Sequence, residues 1–292
     1  MVGLLTGITT ASKPPIYIVG LPRTGTTWLA SILNTTPGIK HLHEPFNAIN
    51  VPEAVPHALQ YMRADDKNPA FYRLCRQAFS GHSPRDCVTY KRSPVYKILP
   101  WWPGRVMVKD VHSYLALDWI DQHFNPVAIL VMRHPCAFAY SWFRLYGQFG
   151  KSLEKVIEQP KLMNDYLYPF EEQLNKAEGF WEKIGVFWGA TYYVMLQQQQ
   201  KHSDWIWVKH ESLCQDPLGE YQNLFKRLDL PWTSQTERRL QQSTTKHSTQ
   251  PYVPQRITSQ EPQKWKNQLE PKQIDRVLEF ARPFGLQCYP EL

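Results

Sequence analysis

The sequence is short of cysteines and of long apolar runs, and each shortage excludes a class of protein. Its 292 residues include five cysteines, an odd number, and no CxxC pair. A disulfide framework and a zinc site are therefore disfavoured, and reduced thiols in the cytoplasm fit better, although a Cys75–Cys87 bond stays open. No apolar stretch reaches the roughly 18 residues of a transmembrane helix, and the amino terminus does not resemble a signal peptide.

Clusters of like charge are also absent. No run of five basic residues occurs, and no carboxylates or histidines show the spacing of metal ligands. These gaps argue against nucleic-acid binding, a polybasic membrane anchor and a metal site. What the chain does have is a formal net charge of +7, 42% hydrophobic residues and 11 tryptophans. This composition predicts a globular protein with an anionic ligand and a pocket that aromatic residues could line.

Hydrophobic periodicity predicts an α/β fold. Short β-branched or aromatic runs predict buried strands at residues 16–19, 106–108, 127–131 and 205–208. Apolar residues at helical spacing predict helices at residues 26–34, 115–120, 137–146, 180–200, 221–228 and 272–280. Strands that alternate with helices pair in parallel, so we expect a P-loop-type, mainly parallel sheet with helices on both faces, in three layers. No repeat or boundary divides the chain, so residues 1–292 are predicted to be one domain with its core at 16–290.

Two long segments interrupt this pattern. Residues 45–104 are rich in proline and aromatic residues, with short helices expected at 53–63 and 69–79, and residues 147–178 are polar and irregular. Segments of this kind in an α/β frame often form lids or substrate walls. Their aromatic content fits a sugar ring, a phenol or a lipid headgroup.

The turn after the first predicted strand carries the strongest functional signal. Its sequence over Gly20–Thr27, GLPRTGTT, has the G-x4-G spacing of a P-loop. Glycines let backbone N–H groups point inward, and the start of the next helix adds unpaired N–H groups and partial positive charge, so the turn can cradle a phosphate. NTPase loops place a lysine after the second glycine, whereas this chain has Thr26 there and a cation at Arg23. A P-loop kinase or NTPase is the alternative interpretation, and the missing lysine argues against it.

The stretch Pro22–Leu29, PRTGTTWL, resembles the 5′-phosphosulfate loop of sulfotransferases that use 3′-phosphoadenylyl sulfate (PAPS). A second motif resembles the 3′-phosphate site of that family, because Arg133 ends a predicted strand and Ser141 follows eight residues later. The likeness continues through residues 207–228 and Trp265–Leu269. The family's carboxyl-terminal Arg-Lys-Gly segment has no counterpart that can be assigned, and Gln255–Ile257 is the nearest sequence.

This resemblance implies an enzyme that moves a sulfuryl group from PAPS to a hydroxyl of a carbohydrate, lipid or small molecule, releases PAP and needs no metal. It also implies which residues bind the nucleotide. Arg133 and Ser141 would hold the 3′-phosphate. Trp28 stands where cytosolic members stack a tryptophan on adenine, although core packing explains it nearly as well. The implied phosphosulfate ligands are Arg23, Thr24, Gly25, Thr26 and Thr27.

Sulfuryl transfer needs cations for the leaving phosphate and a base for the acceptor proton. Arg23 and Lys109 are the candidate cations, and Lys109 ends a strand at the sheet edge where α/β proteins bind ligands. Two residues compete as base. Glu44 has the spacing of the glutamate in tyrosylprotein and carbohydrate sulfotransferases, whereas His112 lies one residue beyond the histidine of cytosolic members. In an extended segment, a shift of one residue points the side chain to the opposite face. We therefore predict Glu44 as the base and keep His112 as the alternative.

Overall fold

The computed structural model describes residues 13–49, 51–82, 104–245, 261–290 and 292. The nearest match to the missing carboxyl-terminal motif, Gln255–Ile257, and residues 83–103 of the first expected lid lie outside these ranges.

A five-stranded parallel sheet forms the centre of the molecule. Its strands lie in the order β2-β3-β1-β4-β5, and every neighbouring pair is parallel. The predicted α/β class is thereby confirmed. The strands are β1 (Ile16–Gly20), β2 (Ile39–His43), β3 (Arg105–Asp110), β4 (Val127–Met132) and β5 (Ile206–Lys209).

Helices cover both faces of this sheet. Those within the described ranges are α1 (Thr26–Leu33), α2 (Pro69–Phe79), α3 (Leu117–Phe124), α4 (Pro135–Tyr146), α5 (Ser152–Ile157), α6 (Glu171–Lys176), α7 (Phe180–Gln199), α8 (His210–Gln215), α9 (Pro217–Arg227), α10 (Ser234–Thr245) and α11 (Pro271–Ala281). None of these helices is long and apolar enough to cross a bilayer.

The core is divided by the sheet because successive side chains of a strand point to opposite faces. In β1, Tyr17 and Val19 belong to the larger core cluster, which also contains residues of α2, α3, α4, α7 and α11. Ile16 and Ile18 belong to the second cluster, which includes residues of α1, α8, α9 and α10. This division produces the predicted three layers. Because every neighbouring pair of strands is parallel, the carboxyl ends of all five strands lie at one edge.

Three local predictions differ from the structure. The edge strand β2 was not predicted, because its sequence IKHLH alternates poorly and nevertheless buries Lys40 and His41. The expected helix over 53–63 is shorter, a 3-10 helix at Pro52–His57. Residues 147–178, expected to be irregular, contain α5, α6 and an irregular helical stretch at 160–170. Apolar side chains such as Leu153, Leu162 and Leu167 are buried there, too widely spaced to give a clear periodicity.

Candidate functional site

A cleft of about 1020 Å³ opens at the carboxyl ends of the strands. Ligands bind at this edge of open parallel sheets because the loops that leave the strands converge there. The cleft draws its walls from distant parts of the chain, and it brings together all but one of the predicted site residues. Those lining it are Arg23, Gly25, Thr26, Thr27, Trp28, Glu44, Lys109, His112, Arg133 and Ser141.

The phosphate loop has the backbone that its sequence predicts. Gly25 is the residue before α1 and has a φ of 100°, in the left-handed region that glycine adopts without strain. The N-cap residue Gly25 has no side chain that could cap α1, and Gly25, Thr26 and Thr27 line the cleft. Arg23 has a φ of 71°, a conformation that is unusual for a residue with a side chain. Together these features give the loop the backbone geometry that is typical of an anion-binding turn.

Two arginines meet beside this loop. Arg23 donates from Nε to the Ser141 hydroxyl at 3.2 Å, and Arg133 donates from Nη1 to the carbonyl of Arg23 at 3.1 Å. Arg133 follows β4 directly, and α7 fixes its backbone because Trp188 donates to its carbonyl at 2.8 Å. The two predicted phosphate motifs therefore form one continuous cationic wall.

Arg133 still has unused hydrogen-bonding capacity. Its Nε is buried and has no partner in the part of the chain that the structure describes. Its Nη2 lies 3.7 Å from a carboxylate oxygen of Glu261, beyond hydrogen-bond range. A buried donor without a partner costs about 1–3 kcal/mol, so this arrangement favours an added anion at Arg133.

Glu44 and Lys109 form a pre-assembled ion pair at the ends of β2 and β3. The Lys109 ammonium donates to Glu44 Oε1, and the Glu44 backbone N–H donates to the Lys109 carbonyl at 2.6 Å. Asn47 donates to the second carboxylate oxygen at 2.9 Å. Burial acts to raise the pKa of the Glu44 carboxyl, but the Lys109 charge more than offsets it, so this pKa lies below its ordinary value. Glu44 is consequently an ionised, oriented carboxylate at neutral pH.

His112 also lines the cleft, contrary to the expectation that a one-residue slip would turn it away. The strand ends at Asp110, so the alternation of an extended chain no longer applies at His112. Asp110 Oδ1 accepts from the His112 backbone N–H at 2.7 Å, and Asp110 Oδ2 lies 3.7 Å from the imidazole Nδ1. Burial acts to lower the pKa of His112, but the Asp110 carboxylate outweighs it and raises this pKa overall.

Thr24 and Trp28 differ in how far they meet the predictions. Thr24 is the predicted site residue that does not line the cleft, because it is fully buried and its hydroxyl donates to the Leu21 carbonyl at 2.7 Å. It stabilises the loop from inside. Trp28 lines the cleft but is only 7% exposed, and its indole N–H donates to the Ser243 hydroxyl at 2.9 Å. Adenine stacking by Trp28 stays a prediction.

Sequence reasoning missed the supports behind these residues. His210 is buried so closely against the loop that a Cβ on Gly25 would lie 2.5 Å from its Nδ1. Glu211 accepts from the His134 backbone at 3.0 Å and from the Tyr289 hydroxyl at 2.8 Å, which anchors the turn after β4. These contacts join segments that are distant in sequence. The only signal for them was that His210 and Glu211 lie in the stretch 207–228, which resembles the family. The described residues contain no group of three or more metal-ligating side chains.

Comparisons with known proteins agree with this architecture. A sequence model described as the sulfotransferase family matches residues 14–234. No curated protein shows significant sequence similarity to the chain. Among solved structures, the sulfotransferase domain from the curacin biosynthetic pathway is 14% identical with a TM-score of 0.50, over 94% of this chain and 99% of that domain.

Two further solved structures also match the chain. The sulfotransferase domain of the Synechococcus PCC 7002 olefin synthase is 18% identical, with a TM-score of 0.49 over 94% of this chain and 95% of that one. Mouse sulfotransferase SULT7A1 complexed with PAP is 14% identical, with a TM-score of 0.48 over 93% and 86%. Since the family match spans most of the chain, this protein belongs to the sulfotransferase family.

Proposed function

We propose that the protein transfers a sulfuryl group from PAPS to a hydroxyl group of its acceptor and releases PAP. The observation that carries this proposal is the meeting, in one cleft, of an anion-binding turn, two arginines and the Glu44–Lys109 pair. A phosphate loop alone would suit many nucleotides. The adjacent carboxylate and ammonium supply the acid–base and electrostatic groups that group transfer requires.

The residues present fit a nucleotide with phosphates at both ends of its ribose. The uncapped amino terminus of α1 and Arg23 would hold the 5′-phosphosulfate. The buried Nε of Arg133, which has no hydrogen-bond partner among the described residues, suits a second phosphate, with the Ser141 hydroxyl beside Arg23 as a further donor. Arginine is suited to this task because its planar donors match phosphate oxygens in pairs.

When bound, PAPS supplies the activated sulfuryl group, and the protein supplies position and charge. Glu44 takes the proton of the acceptor hydroxyl as its oxygen bonds to sulfur, and the bond between sulfur and the phosphate oxygen breaks. Lys109 and Arg23 stabilise the negative charge that collects on the leaving phosphate. His112, on the same wall, is the alternative base.

The acceptor site is proposed to lie beyond the Glu44–Lys109 pair. Apolar and aromatic residues line part of the cleft, and they include Leu59, Tyr114, Trp142, Leu145 and Phe187. Such a wall contacts the flat or apolar face of a carbohydrate, lipid or small-molecule alcohol. The segment 147–178 contributes Ser152 and Lys155 to the rim, in keeping with its proposed role as a substrate wall.

A thermal-shift titration with PAP, ATP and 5′-AMP tests the nucleotide assignment. A ligand that binds only the folded state adds about 2.7 kcal/mol of stability at 100 times its Kd. We expect PAP to raise the unfolding midpoint well above the shifts with ATP and 5′-AMP, and then labelled PAPS to transfer sulfate in an acceptor screen. A shift with ATP and none with PAP would contradict the proposal.

A further inference from the structure

A carboxylate lies beside the arginine that is proposed to bind the 3′-phosphate. Glu261 lines the cleft, with Oε2 3.7 Å from Arg133 Nη2 and Oε1 3.4 Å from Lys264 Nζ. Its side chain is 14% exposed, and that of Arg133 is 11% exposed. An acidic group is unexpected here, because the neighbouring loop and arginines otherwise favour anionic ligands.

The contacts of Glu261 are longer than those of two other partly buried glutamates near the cleft. Glu211 makes hydrogen bonds of 2.8 and 3.0 Å, and Glu44 accepts directly from Lys109 and Asn47. Glu261 makes no contact with Arg133 within hydrogen-bond distance, and only the longer of its two ion pairs reaches that residue. Arg133 itself is held in place from the other side by the Arg23 carbonyl. Glu261 is therefore the part of this arrangement that an incoming anion can displace.

A phosphate and the Glu261 carboxylate cannot both be favoured at Arg133. Like charges within about 4 Å repel strongly where water is largely excluded, and a nearby like charge typically opposes ionisation or anion binding. We propose that Glu261 is an internal competitor for the 3′-phosphate, an inference that rests on the proposed function. In the free protein its carboxylate lies 3.7 Å from Arg133 Nη2, beside the proposed phosphate position, and it must move away or remain there at a cost when PAPS or PAP binds.

This competition has a selective consequence. A nucleotide with a 3′-phosphate is bound less tightly because Glu261 opposes it, whereas a nucleotide with only a 5′-phosphate leaves Glu261 in place. Most differences in affinity between related complexes arise in the dissociation rate. Glu261 is thus expected to speed the release of PAP, the product that must leave before the next cycle.

The test compares Glu261→Gln with the wild-type protein in calorimetric titrations with PAP and 5′-AMP. Glutamine keeps the size and removes the charge. We expect the Kd for PAP to fall about tenfold, the equivalent of one pKa unit of charge interaction, and the Kd for 5′-AMP to stay unchanged. Stopped-flow release of PAP should slow by a similar factor. Glu279→Gln is the matched control, because it removes the same charge from an exposed ion pair with Arg276 outside the cleft.

A double-mutant cycle locates the effect. In an Arg133→Gln background, the Glu261→Gln change should no longer tighten PAP, because the residue for which the carboxylate competes is gone. An unchanged or weaker PAP affinity in Glu261→Gln overturns the inference, and so does an equal gain for 5′-AMP. Failure of the wild-type protein to bind PAP at all is a different outcome, since it contradicts the proposed function itself.

Discussion

The two sides of the cleft differ in how their charges are balanced. At the ends of β2 and β3, Glu44 is held by Lys109, and the Asp110 carboxylate faces the His112 ring at 3.7 Å. After β4, Arg133 has a buried Nε without a hydrogen-bond partner among the described residues, and a carboxylate oxygen of Glu261 lies 3.7 Å from its Nη2. On the first side each charged group faces one of opposite sign, although Asp110 Oδ2 and His112 Nδ1 have no hydrogen-bond partner among the described residues. On the second side a buried arginine donor is left for an anion. The Glu44–Lys109 side is called the balanced side below, and the Arg133 side the nucleotide side. This difference in charge balance fits the proposed roles, in which Glu44 and Lys109 take part in the reaction and Arg133 binds the nucleotide.

Each side nevertheless contains a strained residue among those proposed to act on the ligand. Arg23 and Glu44 have φ values of 71° and 53°, and such conformations cost about 1–3 kcal/mol each for residues with side chains. Neither residue is a glycine or an asparagine, for which the left-handed region is easy. Backbone strain that persists at two facing positions of a cleft supports a functional reason for both.

The largest expected effect comes from breaking the balanced side at Lys109. Lys109→Met removes the cation from the leaving phosphate and leaves the buried Glu44 carboxylate without its partner. We expect kcat to fall about 10³-fold, at the upper end for loss of one charge-stabilising group. Sulfate transfer from labelled PAPS is the measurement, with the thermal unfolding midpoint of the ligand-free protein as a check that the variant folds.

Lys109→Arg is the informative companion variant. It restores the positive charge with a different shape, so partial recovery of kcat would assign the loss to charge. Equal activity of Lys109→Met and wild-type protein would show that the balanced side is only structural.

A smaller effect distinguishes the two candidate bases. Glu44→Gln should lower the rate about 10²-fold or more at neutral pH, the low end for loss of a general base, and leave PAP binding unchanged. A base must be deprotonated, and the pKa of Glu44 lies below its ordinary value of 4.5. The wild-type rate should therefore be flat from about pH 5.5 to pH 8.

His112 as the base would give the opposite profile. Its pKa lies above the ordinary value of 6.5, so the rate would rise as the pH passes through that higher value and His112 loses its proton. We expect His112→Asn to keep the flat profile. If the wild-type rate rises near neutral pH and this rise is absent in His112→Asn, His112 and not Glu44 is the base. The free energy of unfolding should depend on pH in a matching way. The contribution of His112 to it is present below pH 6.5 and is lost as the pH rises through the raised pKa of His112.

The frame and the nucleotide side were more predictable from sequence than the balanced side. Four of the five strands and the phosphate loop follow from local patterns, namely buried β-branched runs and a G-x4-G turn before an apolar helix. The strand β2 does not, because its lysine and histidines are buried only by their neighbours in the tertiary structure. Local pattern carries no information about such burial.

The contacts between side chains of the site were harder still to predict from the sequence. Glu44 and Lys109 are 65 positions apart, and their pairing depends on β2 lying next to β3. The position of His112 was mistaken because the alternation rule was extended past the end of its strand at Asp110. Side-chain direction in a loop depends on the whole fold, as it also does for the buried Thr24.

The smallest expected effect concerns Trp28, which lies between the core and the nucleotide side. It packs edge-on against Tyr221, with ring centroids 5.4 Å apart, and donates to Ser243. Trp28→Phe removes that hydrogen bond and part of the ring, so we expect the free energy of unfolding to fall by about 1 kcal/mol. The Kd for PAP should change less than about threefold, because only a small part of a ring that is 7% exposed can reach a nucleotide. Chemical denaturation and PAP titration measure the two quantities separately.

Ser243→Ala is the matched control, since it removes the hydrogen bond and keeps the indole. A large loss of PAP affinity in Trp28→Phe alone would assign adenine stacking to Trp28, and would place this residue among the binding groups of the nucleotide side.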